Sequence, residues 1–225
     1  GYCGMVPHNA KAKLGLNVSD PGVWCGYRRP AFLQPDDSRF EEISSLYYKE
    51  LEKLYGKANY YSMDPFHEGG STDGVNLKAV MKAMKKANPK AVWVIQAWQA
   101  NPRPELIRNL ETGDLLILDL TSECRPQWGD PESEWYRKDG YGKHNWVYCM
   151  LLNYGANVGL HGKMDNVIDN YYLAKENLRA RATLKGVGMT PEGIENNPVM
   201  YELLMELPWR PERFTKEDWL KGYVK

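Results

Sequence analysis

The sequence has no excess of charge of either sign. Its 225 residues carry 29 basic and 29 acidic side chains, so the formal net charge is zero. A neutral chain does not attract phosphate backbones or anionic lipid surfaces over long distances, so the composition predicts neither nucleic-acid binding nor membrane association. The sequence also contains no apolar run approaching the roughly 20 residues of a membrane-spanning helix, and we expect no membrane insertion.

Other signals are missing as well. The four cysteines lie far apart without a CxxC pair, which argues against zinc and leaves disulfides and free thiols as alternatives. The N-terminus does not begin with Met and lacks the charged and apolar regions of a signal peptide, as expected for a mature, trimmed or excerpted chain. No apolar run leads into a GxGxxG turn, which weighs against a nucleotide-binding sheet.

What the sequence does contain is an alternation of apolar runs and helical patterns. Apolar runs predict strands at about 59–64, 91–98, 115–120, 145–152 and 184–190. Apolar residues at three- and four-residue spacings predict helices over 39–55, 73–87 and 165–180 and from Pro198 onward, the first with a Ser38–Glu41 capping box. Residues 1–37 are expected to be mostly loop. The alternation predicts a parallel sheet, either closed as a barrel or doubly wound.

Acidic and aromatic side chains collect where the predicted strands end. Glu68, Trp98, Asp119, Glu123 and Glu192 all stand at or just beyond such an end. Catalytic groups of (β/α) barrels lie at the C-terminal ends of strands, so this pattern favours the barrel. Each acid taken alone is equally explained as a turn residue near a helix N-terminus, and position does not select a catalytic pair.

Several stretches resemble glycoside hydrolase family 89, the α-N-acetylglucosaminidases. Residues 188–194 (GMTPEGI) with Asn197 resemble the segment around one catalytic glutamate, and residues 64–68 (DPFHE) match the Asp-x-Phe-x-Glu pattern around the other. The strands ending near Trp98 and Asp119 are also similar to family strands. Residues 148–157 depart mildly, because Tyr148 replaces a tryptophan there. The resemblance covers almost the whole chain.

The resemblance implies an architecture. The fold would be α/β and would correspond to the later part of a (β/α)8 TIM-type barrel. Residues 1–207 would form a partial catalytic barrel, and residues 208–225 a linker and the start of a C-terminal α-helical domain. On this reading the chain is an excerpt of a larger enzyme.

The resemblance also implies an activity, the retaining exo-hydrolysis of terminal α-linked N-acetylglucosamine. Glu68 would be the general acid/base and Glu192 the nucleophile, with the two carboxyl groups about 5–5.5 Å apart. Substrate contacts would come from Trp98, Asn153, Tyr148, Asp64 and Glu123. The mechanism requires no metal and no organic cofactor.

The implied partner is a glycan with a terminal N-acetylglucosamine, of glycosaminoglycan or mucin type. The family implies an extracytoplasmic location, which is secreted, periplasmic or lysosomal. Two alternatives stay open: a non-catalytic carbohydrate-binding or structural barrel fragment, and a related glycosidase of different sugar specificity. The oligomeric state is also left open.

Overall fold

A computed structural model describes residues 1–64, 76–153, 160–193 and 196–225. The chain forms two compact units. The first comprises Gly1–Ile95 and Asn101–Leu115, and the second comprises Gln96–Ala100 and Leu116–Lys225.

The first unit begins with a segment that is mostly loop and is interrupted by one short helix and five short strands. In chain order these elements are β1 (Met5–Val6), α1 (Ala10–Leu14), β2 (Val18–Ser19), β3 (Val23–Trp24), β4 (Tyr27–Arg28) and β5 (Ala31–Leu33). The central strand β5 pairs antiparallel with β1 and β2, while β3 and β4 pair with each other. More than half of residues 1–37 lie outside these elements, as predicted. The short strands were not predicted, because strands of two or three residues are too short to show an alternating pattern.

The rest of the first unit alternates helices and strands, as predicted. It contains α2 (Phe40–Tyr55), β6 (Tyr60–Ser62), α3 (Leu77–Ala87), most of β7 (Val92–Ala97) and α4 (Pro104–Ile107). Strands β6 and β7 pair in parallel, with Tyr60 opposite Val92. The predicted capping box is wrong: the start of α2 has no side-chain cap, and Asp37 instead accepts a hydrogen bond from the Arg39 N–H (2.8 Å).

The second unit holds the remaining parallel strands. They are β8 (Leu115–Asp119), β9 (Asn145–Met150) and β10 (Leu184–Met189), with β9 in the middle; only Leu115 of β8 belongs to the first unit. The helices are α5 (Met164–Glu176), α6 (Leu178–Thr183), α7 (Pro198–Glu206) and α8 (Lys216–Tyr223), with a 3-10 turn at Leu207–Trp209. The core of this unit lies between the strands and α5, where Trp146, Tyr148, Val167 and Ile168 are buried.

The structure confirms the five predicted strands to within two residues at each end and confirms the α/β fold class. The predicted helix over 165–180 is two helices, because the chain leaves helical geometry at Asn177. The domain boundary at residue 207 stays a prediction. All four cysteines, each in a described segment, are free thiols. No helix in the described part of the chain is long and apolar enough to cross a membrane.

Candidate active site

Hydrogen bonds in the second unit join the C-terminal ends of neighbouring strands. The Leu120 N–H donates to the Ala97 carbonyl (3.4 Å), and the Thr190 N–H donates to the Met150 carbonyl (3.0 Å). The Thr190 hydroxyl donates to the Leu120 carbonyl (3.2 Å). Because the strand ends lie side by side, the residues that follow them share one edge, where barrels carry their reacting groups.

Strand β10 reaches this edge because Gly188 lets it lie close to β9. A Cβ atom at Gly188 would stand 3.0 Å from the Cys149 Sγ and 3.2 Å from the Val147 Cγ1. A larger residue would therefore crowd these two side chains, which would have to move by a few tenths of an ångström. The first glycine of the GMTPEGI stretch thus has a packing role.

Glu192 is the exposed acid of this edge, at the third residue after β10. Its main-chain N–H and that of Gly193 both donate to the Asn153 carbonyl, at 3.3 Å each. The backbone is therefore attached to the end of β9 while the side chain reaches solvent. A reacting group requires this combination of a fixed backbone and an accessible side chain.

Asn153 itself is buried, with 4% of its surface exposed. Its main-chain N–H donates to the Leu151 carbonyl (2.7 Å), which closes a tight turn over residues 151–153. The residue before it, Leu152, has a φ of +61°. This left-handed conformation is uncommon for residues other than glycine and asparagine. Asn153 therefore links a strained turn to the backbone of Glu192.

Glu123 lies inside the protein, with 7% of its surface exposed. Its Oε1 accepts hydrogen bonds from the main-chain N–H groups of Leu151 (3.1 Å) and Leu152 (3.0 Å). Burial raises the pKa of Glu123 to about 6, and the hydrogen bonds from these amides oppose that rise. The structure therefore brings together three of the predicted site residues: Glu123, Asn153 and Glu192.

Asp119, at the end of β8, is completely buried. Burial raises the pKa of this carboxyl to about 7, against smaller opposing effects of the Tyr141 and Ser122 hydroxyls and of the Arg137 guanidinium. The Ser122 hydroxyl donates to the Asp119 main-chain carbonyl (3.2 Å). Neither carboxyl oxygen accepts a well-formed hydrogen bond from the described residues. Such a group keeps its proton to a higher pH than an exposed aspartate does.

Trp98 follows β7 and is half-buried. Its ring packs against Trp135 with a centroid separation of 5.3 Å and an interplanar angle of 53°. The Arg125 guanidinium lies 5.2 Å from the centre of the Trp135 ring. Sequence reasoning missed Trp135 and Arg125, although an aromatic residue in the long loop over 125–144 was a usable signal.

Tyr148 lies in the core between β9 and α5. It is fully buried, and its hydroxyl donates to the Val167 carbonyl (3.2 Å). The ring of Tyr171 meets it edge-on at 5.7 Å. This placement favours a role in packing α5 against the strands.

Two predicted residues belong to the chain after β6. Asp64 is half-buried in the first unit. Glu68 lies outside the described residues, so its separation from Glu192 stays a prediction.

A cavity of about 250 Å³ opens beside Glu123 and Leu152. Its other lining residues are Cys124, Arg125, His161, Lys163 and Met200. Within the described segments, no three His, Cys, Asp or Glu side chains are grouped so that they could hold a metal ion.

Comparison with protein families places these features in context. The family model of the alpha-N-acetylglucosaminidase (NAGLU) TIM-barrel domain matches residues 1–211. Human alpha-N-acetylglucosaminidase is 32% identical over an alignment of 231 positions that covers 94% of this chain and 30% of the human protein. The chain therefore spans less than a third of the length of this relative.

Solved structures of a Clostridium perfringens family 89 glycoside hydrolase are also similar. The complex with 2-acetamido-1,2-dideoxynojirmycin superposes with a TM-score of 0.85 at 29% identity, covering all of this chain and 26% of that one. A variant of the enzyme with glutamine in place of two glutamates, bound to its substrate GlcNAc-α-1,4-galactose, gives a TM-score of 0.83 at 29% identity, covering all of this chain and 25% of that one.

Proposed function

This chain belongs to the family of alpha-N-acetylglucosaminidase (NAGLU) TIM-barrel domains, and from this membership we propose that the protein is a retaining exo-glycosidase. Its substrate is a glycan or glycoconjugate that ends in α-linked N-acetylglucosamine. Glu68 is the general acid/base, and Glu192 is the nucleophile. An extracytoplasmic location belongs to the same proposal and rests on the family alone.

The observation that carries the proposal is the placement of Glu192. Its carboxylate is exposed at a strand end while its backbone is hydrogen-bonded to Asn153. The substrate complex of the Clostridium enzyme, with glutamine replacing two glutamates, supports a mechanism that uses two carboxyl groups. A retaining glycosidase needs such a pair.

In the first step, the Glu192 carboxylate attacks the anomeric carbon as the glycosidic carbon–oxygen bond breaks. Glu68 gives its proton to the departing oxygen, so the leaving group departs as a neutral alcohol. The reaction therefore begins with Glu68 protonated and Glu192 ionised.

In the second step, water attacks the anomeric carbon of the glycosyl-enzyme while Glu68 accepts a proton from that water. The bond to Glu192 breaks, and the sugar leaves with the configuration that it had in the substrate. Glu68 is again protonated, so the enzyme returns to its starting state.

Three of the remaining predicted residues, Trp98, Asn153 and Asp64, would hold the sugar. Trp98 offers an aromatic face for the apolar side of the ring, and an asparagine at position 153 suits the acetamido group. Asp64 would bind a sugar hydroxyl. The edge that carries Trp98, Asn153 and Glu192 is continuous through the hydrogen bonds at Ala97, Leu120 and Thr190, which supports one shared site.

The test uses azide as a substitute nucleophile for each glutamate. With an aryl α-N-acetylglucosaminide, Glu192→Ala should be nearly inactive and should form the β-glycosyl azide when azide is added. Glu68→Ala should keep its first step with good leaving groups and form the α-glycosyl azide. Glu217→Gln, at an exposed glutamate of α8, is the matched control and should behave like the parent protein.

The stereochemistry of the azide products, read by NMR, decides the two assignments. The same product from both variants, or none from either, would contradict the assigned roles. An inactive parent protein that still binds N-acetylglucosamine would point to the non-catalytic carbohydrate-binding alternative. An active parent protein that prefers another sugar would point to a related glycosidase.

A further inference from the structure

The carboxylate of Glu123 fills a concavity in the protein backbone. Its Oε1 accepts hydrogen bonds from two successive main-chain N–H groups, those of Leu151 (3.1 Å) and Leu152 (3.0 Å). Successive N–H groups that converge in a tight turn form an anion-binding nest. In this protein the anion is an internal side chain, contributed by the loop that follows β8.

The turn that Glu123 holds is strained. Leu152 has a φ of +61°, which places its Cβ close to the following carbonyl and is unfavourable for leucine. Residues in such conformations persist only where their surroundings stabilise them. A charged acceptor stabilises two N–H groups more strongly than a neutral one does, so the Glu123 carboxylate supplies that stabilisation.

The position of Glu123 is itself fixed. The Asn170 side-chain amide donates to the main-chain carbonyls of Ser122 (3.1 Å) and Glu123 (3.0 Å). The Ser122 N–H donates to the Cys149 carbonyl (3.1 Å). The backbone that carries Glu123 is therefore anchored to both α5 and β9.

The strained turn continues directly into the contact with Glu192. Asn153 follows Leu152, and its carbonyl accepts the N–H groups of Glu192 and Gly193, at 3.3 Å each. A change in the Leu152 conformation would rotate the neighbouring peptide groups and move that carbonyl. The orientation of the Glu192 backbone thus depends on the turn that Glu123 holds.

We infer that Glu123 is a positioning residue for Glu192 and not a ligand of the sugar. Its carboxylate holds the turn over residues 151–153, and the Asn153 carbonyl at the end of this turn orients the Glu192 backbone. The inference rests on the proposed function of Glu192 for its catalytic consequence, but the structural link can be tested without activity.

The principal test compares Glu123→Gln with Glu123→Ala. Glutamine keeps the size of the side chain and one acceptor oxygen but loses the charge, so Glu123→Gln should lower kcat by about 10-fold. Alanine removes the acceptor of the two amides, so Glu123→Ala should lower kcat by on the order of 100-fold. KM should change by less than about threefold, because no sugar contact is removed. Glu176→Gln, at an exposed glutamate of α5, is the control and should leave both parameters unchanged.

A second variant addresses the strain directly. Glycine adopts a positive φ without penalty, so Leu152→Gly should make the turn less dependent on the carboxylate. Glu123→Gln should then cost clearly less in kcat on the Leu152→Gly background than on the parent background. Additive effects would show that the two residues are independent and would overturn the inference.

Amide hydrogen exchange separates this inference from the proposed function. In Glu123→Gln the N–H groups of Glu192 and Gly193 should exchange faster, while amides of α8 keep the parent rate. Unchanged exchange at Glu192 would overturn the inference whether or not the protein hydrolyses sugars. If the parent protein is active, an increase in KM with kcat unchanged would identify Glu123 as a sugar ligand and would also overturn it.

Discussion

Main-chain contacts account for the position of Glu192 at the scale of the single residue. The two hydrogen bonds to the Asn153 carbonyl come from backbone N–H groups, so they do not depend on the identity of the side chain at position 192. A change of the carboxylate should therefore alter the chemistry while it leaves the local backbone in place. The kinetics of Glu192 variants should therefore report on the chemistry of the side chain alone, in contrast to those of variants at the buried Glu123.

The contact between Trp98 and Trp135 predicts that Trp135 helps to bind the sugar, if Trp98 has the role given to it in the proposed function. The ring of Trp135 packs on Trp98, and the Arg125 guanidinium lies over the Trp135 ring. We expect Trp135→Ala to raise KM by about 3- to 10-fold with little change in kcat, because one aromatic contact is lost and no reacting group is touched.

Steady-state kinetics with a disaccharide and an aryl substrate measure this effect. Trp209→Ala is the matched control, since Trp209 is 84% exposed in the turn after α7, and its substitution should be silent. A fall in kcat at constant KM would show that Trp135 acts on the reacting groups and would contradict a role in binding the sugar.

At the scale of the element, the strands show why some predictions from sequence succeed. Strands β7, β8 and β9 alternate buried and half-buried residues in nearly continuous apolar runs, so hydrophobicity alone locates them. The short strands before residue 34 carry no such pattern, because their pairing depends on β5 meeting chain segments that are distant in sequence. Local periodicity contains no information about those contacts.

The break between α5 and α6 is another feature that periodicity does not reveal. Apolar spacing continues across it, but the Asn177 side chain accepts hydrogen bonds from the Arg179 and Ala180 N–H groups, both at 3.0 Å. Asn177 thereby caps α6 and ends α5. Asparagine is among the most favourable residues at a helix N-cap.

We therefore expect Asn177→Ala to lower the free energy of unfolding by about 1 kcal/mol, because two amides of α6 lose their acceptor. A melting temperature lower by about 2–4 °C would be the corresponding thermal result. Asn166→Ala, in the exposed part of α5, is the control and should change stability by no more than about 0.5 kcal/mol. Equal stability of Asn177→Ala and the parent protein would show that the side chain does not cap α6.

At the scale of the whole molecule, the sequence was sufficient to identify the fold class and the family, but not to assign a role to each site residue. The motifs around Glu68 and Glu192 could be read directly, since they are local in sequence. The roles of Glu123 and Tyr148 could not, because the first depends on the φ of Leu152 and the second on the packing of α5 against β9. Both are properties of the folded chain.

The buried acids in the second unit also affect the molecule as a whole. Burial raises the pKa of Asp119 to about 7 and that of Glu123 to about 6. Arg137 and Tyr141 face Asp119 and oppose its rise, and Cys149 lies in the same buried group. In the unfolded chain both acids lose their protons near pH 4.

These pKa values make stability depend on pH with a definite sign. Below about pH 4 both acids are protonated in the folded and the unfolded chain, and their contribution to stability is fully present. Between about pH 4 and pH 7 the folded protein holds protons that the unfolded chain has released, so stability falls as the pH rises through the folded-state pKa values. The lowered pKa of exposed Glu41, about 2 and caused by Lys82 and Lys86, acts with the opposite sign and mainly below this range.

Asp119→Asn replaces one of these two titratable carboxyl groups by a neutral amide and keeps the shape of the side chain. The parent protein should lose stability on the order of 1 kcal/mol per pH unit for each such group between pH 4 and its folded-state pKa. The variant should show a shallower decline and should be the more stable protein above pH 7, where the parent must bury a charge. Urea unfolding at pH 5, 6 and 7.5 measures the slopes, with Asp139→Asn, at an exposed aspartate paired with Arg179, as the control. Parallel slopes for Asp119→Asn and the parent would mean that Asp119 is already ionised in the folded protein, and its burial would then require a counter-charge.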